Sequence, residues 1–370
     1  MATRGIKKNH MARKLCWVTH RDPRNPNAGG AERSVYEVCL GLSKLGWEVS
    51  VVSGGYPDCL SVEMVGPTRI VRGTSPIAMH LELPRLFRRV GRFDIVIEDL
   101  GHVVPFLAER VVSEPGVVLF RHLHRRTLPG QVSGGRRLIL ETIERSYPLI
   151  YRRWPFVAPS QGAALDLASL GISQTRIHRI GYGVDASLFK PGTLTESPTL
   201  IYFAGLRSYK RPSHAIHVLR ILRQQGIVAR LTVVGVGPEL SNLMELSRSL
   251  GLSDQVTFAG RVSDDELSMV ISRSWVHLQC AVAEGWGLTV GEAAASGVPT
   301  VAYRVPGLID SVSEGENGIL VPDGNLLEFA NAVALIIRNR QIWTSKCRDS
   351  VARMSWTDVS QDWNDFLLQL

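Results

Sequence analysis

Alternation is the feature that most constrains this chain. Twice along its 370 residues, short apolar runs of strand type are followed by segments with helical spacing. The stretch Pro191-Gly192-Thr193-Leu194-Thr195-Glu196-Ser197-Pro198 reads as a linker between the two blocks. Strand–helix–strand alternation is the pattern of parallel sheets with helices on their faces. A chain this long exceeds one typical core, so two domains are expected. The predicted fold class is α/β, with two Rossmann-like, doubly wound parallel-sheet domains facing each other across a cleft. They are placed at residues 1–190 and 199–355, joined by a linker at 191–198. A tail helix at 356–370 is expected to pack back on the first domain.

In the first block, the strand at 15–19 leads into a polar loop that ends in Gly29-Gly30. A helix with apolar positions Val35, Val38, Leu42 and Leu45 follows, stopped by Gly46, and Trp47 to Ser53 is the next strand. A diglycine at the C-terminal end of a first strand lies where open parallel sheets bind ligands, although tight turns use it too. Further strands are expected near Arg69 to Arg72 and at 95–98, 117–121 and 156–159. His122 and His124 come just after the strand at 117–121. A histidine there can hydrogen-bond a substrate hydroxyl or relay a proton; it can also be an ordinary loop histidine.

The second block alternates from a strand at 199–204 through strands near 229–235, 255–259, 275–280, 300–303 and 319–321. Its most informative stretch is Ala283-Glu284-Gly285-Trp286-Gly287-Leu288-Thr289-Val290-Gly291-Glu292, between the fourth of these strands and a helix that Gly297 and Pro299 close. Strand, glycine-rich loop and helix start place several backbone N–H groups and the positive end of a helix dipole together, which suits a phosphate. A carboxylate inside such a loop repels a bare phosphate. Glu284 is better suited to accepting hydrogen bonds from hydroxyls, and Glu292 follows on the second turn. A ligand with a diphosphate and hydroxylated rings fits, and a nucleotide sugar is such a ligand. The blander alternative leaves Glu284 in a turn and Glu292 complementing the dipole.

Charge is spread unevenly. Residues 1–190 hold 27 Lys and Arg against 16 Asp and Glu, whereas the remaining residues hold 15 against 18. The Arg85, Arg88, Arg89, Arg92 and Arg121, Arg125, Arg126 clusters suit an anionic membrane surface or acceptor, or simply a solvated face. Nucleic acid is not expected, because these stretches lack interleaved aromatics. No apolar run approaches a membrane span, and the residues through Lys14 lack the apolar region of a secretion signal. The five cysteines, Cys16, Cys39, Cys59, Cys280 and Cys347, have no metal-like spacing and read as reduced thiols of a cytoplasmic protein.

Together these motifs resemble the retaining family 4 glycosyltransferases of GT-B fold, over nearly the whole chain. Asn27-Ala28-Gly29-Gly30-Ala31-Glu32 is similar to that family's acceptor-side loop. Ile180-Gly181-Tyr182-Gly183-Val184-Asp185 is similar to its lead-in to the linker, with Tyr182 where Asn is common. Glu284 to Glu292 is its two-glutamate signature, and Gly235-Val236-Gly237-Pro238 and Phe258-Ala259-Gly260-Arg261-Val262 match in spacing.

The resemblance implies that Glu284 binds donor-sugar hydroxyls and Glu292 the ribose. The N–H groups of Gly285, Trp286, Gly287, Leu288 and Thr289 would hold sugar and phosphate, and the main chain at Arg261 and Val262 would meet the base. Lys210 would neutralise the leaving diphosphate; its bland alternative is a surface lysine at a helix start. With the register kept from Lys210, Gly205 occupies the place of the family's arginine, so Arg207 must reach from a shifted position. His124, with His122 as second choice, matches the histidine that faces the donor sugar, and Gly29 and Gly30 belong to the donor side as well.

On this view the catalytic set is Lys210, Arg207, Glu284 and His124, with no metal and no cofactor beyond the nucleotide-sugar substrate. The activity implied is sugar transfer from a UDP- or GDP-linked donor to a hydroxyl of a glycan, lipid-linked or small-molecule acceptor. The enzyme would be cytoplasmic, or peripheral at the inner face of the plasma membrane. Closure across the linker would expel water from the cleft. A nucleotide-sugar epimerase of the same fold and a non-catalytic nucleotide-sugar-binding module are the alternatives. A dinucleotide oxidoreductase is disfavoured, since Leu240 stands where Gly235-Val236-Gly237 would need a third glycine.

Overall fold

The computed structural model describes residues 12–129, 131–132, 134–352 and 354–370. The basic stretch ahead of Lys14 lies almost wholly outside them. The chain divides into two compact units. One runs up to Asp99 and adds Phe106–Val118 and Ser360–Leu370; the other holds Leu100–Pro105 and Leu119–Val359.

One sheet has eight strands: β1 (Lys14–Val18), β2 (Glu48–Ser53), β3 (Val62–Val65), β4 (Thr68–Arg72), β5 (Ile95–Leu100), β6 (Gly116–Phe120), β7 (Phe156–Ala158) and β8 (Ile177–Arg179). Their order is β3-β4-β2-β1-β5-β6-β7-β8. Neighbours from β4 to β5 pair in parallel, as do β7 and β8, while β3 is antiparallel to β4. β5 and β6 are buried throughout, as strands covered by helices on both faces must be. In the first unit the tail helix Trp356–Leu367 brings Trp363 to 5.5 Å from the ring of Trp17 on β1. Asn364 Oδ1 accepts from the Trp47 indole at 2.9 Å.

The second unit contains the whole of a six-stranded sheet: β9 (Thr199–Phe203), β10 (Arg230–Val234), β11 (Val256–Gly260), β12 (Val276–Gln279), β13 (Thr300–Tyr303) and β14 (Gly318–Val321). All its pairings are parallel, in the order β11-β10-β9-β12-β13-β14. Counted from β9 this is 3-2-1-4-5-6, the nucleotide-binding order, with its switch point between β9 and β12. A continuous core from Val184 to Val351 surrounds it.

By contact, residues 119–190 group with the second block. The physical reason lies in specific interactions. The N–H groups of Gln161 and Gly162, at the start of the helix Gln161–Ser169, donate to the Asp310 carboxylate at 2.8 and 3.1 Å. A Cβ on Gly285 would lie 2.9 Å from the Arg121 carbonyl, and one on Gly181 would lie 3.2 Å from the Trp286 ring.

Candidate active site

Because the six strands run parallel, the loops that leave their C-terminal ends emerge along one edge. Lys210 follows β9 and Glu284 follows β12, the two strands that flank the switch point. Lys210 ends the short 3-10 turn Ser208–Lys210. Its ammonium donates to Glu284 Oε1 and lies 5.2 Å from the Tyr209 ring centroid. Burial opposes the charge on Lys210, but the neighbouring Glu284 carboxylate more than offsets it, so the pKa stands above the usual lysine value. The side chains of the pair keep 16% and 14% of their exposure, which leaves both within reach of a ligand.

The Glu284 loop is held from below. Its N–H donates to the Pro306 carbonyl at 3.1 Å, and Val282 N–H to the Tyr209 carbonyl at 3.0 Å. Gln279, the last residue of β12, donates to Thr289 Oγ1 at 2.9 Å and reaches Glu284 Oε1 at 3.5 Å. Sequence reasoning missed Gln279; its one signal was an amide at the C-terminal end of a strand, just ahead of the glycine-rich loop. Gly307 is equally tight: its φ is +81°, and a Cβ there would lie 2.1 Å from the Glu284 carbonyl.

Gly287, at φ +96°, precedes the helix Leu288–Ala295. The N–H groups of Leu288 and Thr289 are thus in the first turn, where no carbonyl of the helix can accept them. Gly285 and Trp286 form the approach to that turn, and Glu292, half-buried, lies one turn further along. Gly205 and Arg207 are exposed on the loop after β9, and Arg207 is near enough for its charge to act against that of Lys210. Arg261 and Val262 follow β11 at the sheet's edge. Arg261 is exposed and Val262 packs on the core, while Gly260 O accepts from Gly235 N–H at 2.8 Å.

Both histidines after β6 belong to this unit, with ring centroids 4.7 Å apart. His122 is held well below its usual pKa, first by burial and then by the field of His124, Lys210, Arg121 and His102. Burial and these neighbouring charges favour its neutral form. His124 is engaged elsewhere, with Nε2 at 3.3 Å from the Gly101 carbonyl and Nδ1 at 3.6 Å from Glu144. The structure thus gathers Lys210, Arg207, Glu284, His122 and the 285–289 turn within one unit. Gly29 and Gly30 are in the other unit, exposed at the start of the helix Gly30–Lys44. There Glu32 accepts from Gly29 N–H at 2.8 Å and pairs with Arg21 at 3.0 Å.

The sequence model described as Glycosyl transferases group 1 matches residues 184–352, and that described as Glycosyltransferase Family 4 matches residues 28–188. The chain belongs to the family 4 glycosyltransferases. A relative from Mycobacterium tuberculosis, the GDP-mannose-dependent alpha-(1-6)-phosphatidylinositol monomannoside mannosyltransferase, is 30% identical over 76% of this chain and 78% of its own length. The D-inositol 3-phosphate glycosyltransferase of Pseudarthrobacter chlorophenolicus is 26% identical over 84% of this chain and 82% of its own length. Among solved structures, sucrose-phosphate synthase from Thermosynechococcus elongatus superposes with a TM-score of 0.82 at 20% identity, covering 96% of this chain and 98% of that one. Anabaena HepE, in complex with UDP and glucose, gives 0.76 at 18% identity, covering 97% and 100%. These likenesses establish the GT-B fold of this glycosyltransferase. Among the described residues, no helix is long and apolar enough to cross a membrane.

Proposed function

We propose that this glycosyltransferase moves a sugar from a nucleoside-diphosphate sugar to an acceptor hydroxyl of a glycan, a lipid-linked saccharide or a small molecule, with retention at the anomeric carbon. The observation that carries the reading is the Lys210–Glu284 pair at the switch point of the six-stranded sheet. Each group satisfies the other. A bound donor would take both places, its diphosphate meeting Lys210 and the first-turn N–H groups of Leu288 and Thr289, its sugar hydroxyls meeting Glu284.

Bond breaking builds negative charge on the leaving diphosphate. Lys210, Arg207 and the helix start then stabilise the transition state more than the ground state. His122, which lies in the field of Lys210, is assigned as the imidazole to face the sugar, with His124, 4.7 Å from it ring to ring, as the alternative. Glu292 is assigned to the ribose, the main chain at Arg261 and Val262 to the base, and Gly29-Gly30 to the donor side of the first unit. These cations and N–H groups account for the leaving charge without a metal, so chelation is expected to leave the rate unchanged.

The base is open between two precedents, since the Mycobacterium relative is named for GDP-mannose and HepE was solved with UDP. A thermal-shift panel of UDP, GDP and their sugars decides it, because a ligand that binds only the native state raises the unfolding temperature. Transfer assays with the donors that bind follow. Glu284→Ala should keep the fold and lose transfer, and full activity in that variant would defeat the assignment.

A peripheral position at the inner membrane face belongs to the same reading. Support comes from Arg85, Arg88 and Arg89 on the helix Met79–Val90, together with Ile77 and Leu81, which are 82% and 90% exposed. Co-sedimentation with anionic but not neutral vesicles is the expected result.

A further inference from the structure

The helix Gly134–Arg145 shows little of itself to a core: Leu138 and Ile139 are 63% and 62% exposed. Among its described residues, the side chain it does bury is a carboxylate, Glu144. Burying a carboxylate is costly unless its oxygens are satisfied. Here they are satisfied by one turn of chain. His124 N–H donates to Oε1 at 2.6 Å and Arg125 N–H to Oε2 at 3.3 Å, with Arg125 Nε at 3.8 Å from Oε2. The other end of the turn is tied as firmly, since the His124 carbonyl accepts from Thr127 Oγ1 at 3.0 Å and from the N–H groups of Thr127 and Leu128. This turn fixes the segment that carries His122, whose ring touches that of His124 and lies in the field of Lys210.

We propose that Glu144 is a positioning residue for sugar transfer: from a neighbouring helix it clamps the 122–126 turn, and so fixes where His122 stands relative to Lys210. The proposal rests on the transfer reading above. Glu144 touches no substrate; it acts through the backbone of His124 and Arg125. A misplacement of about 1 Å at a reacting centre costs on the order of 100-fold in rate, so a loosened turn is expected to be felt in kcat. Lys210 and the helix Leu288–Ala295, assigned to the diphosphate, are not among the groups that Glu144 bonds.

The test uses the full chain and the donor that the panel identifies. Glu144→Ala should lower kcat by roughly 10- to 100-fold while binding of the matching nucleoside diphosphate, measured by calorimetry, stays as in the parent. Glu144→Gln, whose single amide oxygen can keep the bond from His124 N–H but not also the one from Arg125 N–H, should recover only part of that loss. Glu141→Gln on the same helix should change neither quantity. An unaltered kcat in Glu144→Ala overturns the proposal, and so does a loss of nucleotide binding in step with kcat, which marks general damage. If Glu144→Ala does not fold, Glu144→Gln decides. Movement of the His122 and His124 ring resonances together with a lowered kcat supports the clamp, and unmoved resonances overturn it. Absence of transfer by the parent protein with every donor it binds would instead defeat the transfer reading, before any variant is made.

Discussion

Each unit carries an ion pair at the C-terminal end of its parallel strands, and the two pairs are built to opposite ends. In the first unit Arg72, at the end of β4, meets Asp22 beyond β1 through two bonds, of 2.8 and 2.9 Å. Its remaining donors go to Glu63 and the Leu60 carbonyl, and Ser53 donates to Asp22. Both side chains are wholly buried. In the second unit Lys210 and Glu284 have fewer partners and keep a measure of exposure. The topology explains the contrast. Asp22 reaches toward β2 and β4, on the side where successive strands are laid next to one another and their loops pack. Lys210 and Glu284 straddle β9 and β12, where the order reverses and the loops part. A saturated, sealed pair fixes a loop. An unsaturated, accessible one is free to exchange its partner for a ligand.

The largest expected effect tests the sealed pair. Arg72→Ala leaves Asp22 buried without its countercharge and should cost about 3–5 kcal/mol of stability, read by urea denaturation. Lys210→Ala should cost less, about 1–3 kcal/mol, because Glu284 keeps some exposure and the Gln279 amide. Equal losses in the two variants would break the distinction between a structural and a functional pair.

The next effect reverses that ranking. In a transfer assay Lys210→Ala should lose about 2.7–4 kcal/mol of transition-state stabilisation, or on the order of 100- to 1000-fold in kcat, as when one donor to a developing anion is removed. A folded Lys210→Ala enzyme with parent activity would remove Lys210 from the mechanism.

The two pairs also differ in how visible they were in the sequence. Glu284 stands in a dense local signature, and a strand, loop and helix start within a dozen residues are short-range facts. β12 and the helix Leu288–Ala295 accordingly form close to where the pattern placed them. Asp22 and Arg72 are 50 residues apart and meet only through sheet register, which one sequence does not encode legibly. β3 escaped notice for another reason: as an edge strand it exposes Val62 and Met64, so no buried run marks it. The helix Gly134–Arg145 escaped because Leu138 and Ile139 are exposed, Leu140 and Ile143 are only partly buried, and its buried residue is charged. The choice between His124 and His122 rested on motif alignment, because the two rings lie 4.7 Å apart on one short turn. The bond from Gly162 N–H to the Asp310 carboxylate, between residues 148 apart, was illegible for the same reason as the Asp22–Arg72 pair.

A smaller effect, in pH, is shared by both units. Burial first, then Arg21 and His80, lower the His20 pKa to about 4; burial lowers that of His277 to about 3. Between these values and the usual histidine pKa of about 6.5 the unfolded chain binds protons that the native state refuses. Stability therefore falls as pH drops through 6.5, and the loss levels off below the folded-state values. The slope contributed by each such histidine is at most about 1.4 kcal/mol per pH unit. His277→Gln should flatten the curve between pH 6 and 5 by up to that amount; an unchanged slope would clear His277 of the titration.

The smallest effect separates Lys210 from its exposed neighbour. Arg207 stands in solvent and acts on Lys210 through its charge. A charge acting at a distance in water is screened within about 8 Å at physiological salt. Arg207→Ala is therefore expected to slow transfer about tenfold or less at low salt, a cost of about 1 kcal/mol, and the deficit should shrink as salt is added. The Lys210→Ala deficit should persist at high salt, because the lysine would contact the leaving group directly. An Arg207→Ala loss as deep as that of Lys210→Ala, and as indifferent to salt, would mean that Arg207 closes onto the diphosphate when the donor binds. The shifted arginine after β9 would then stand beside Lys210 as a direct ligand of the leaving group.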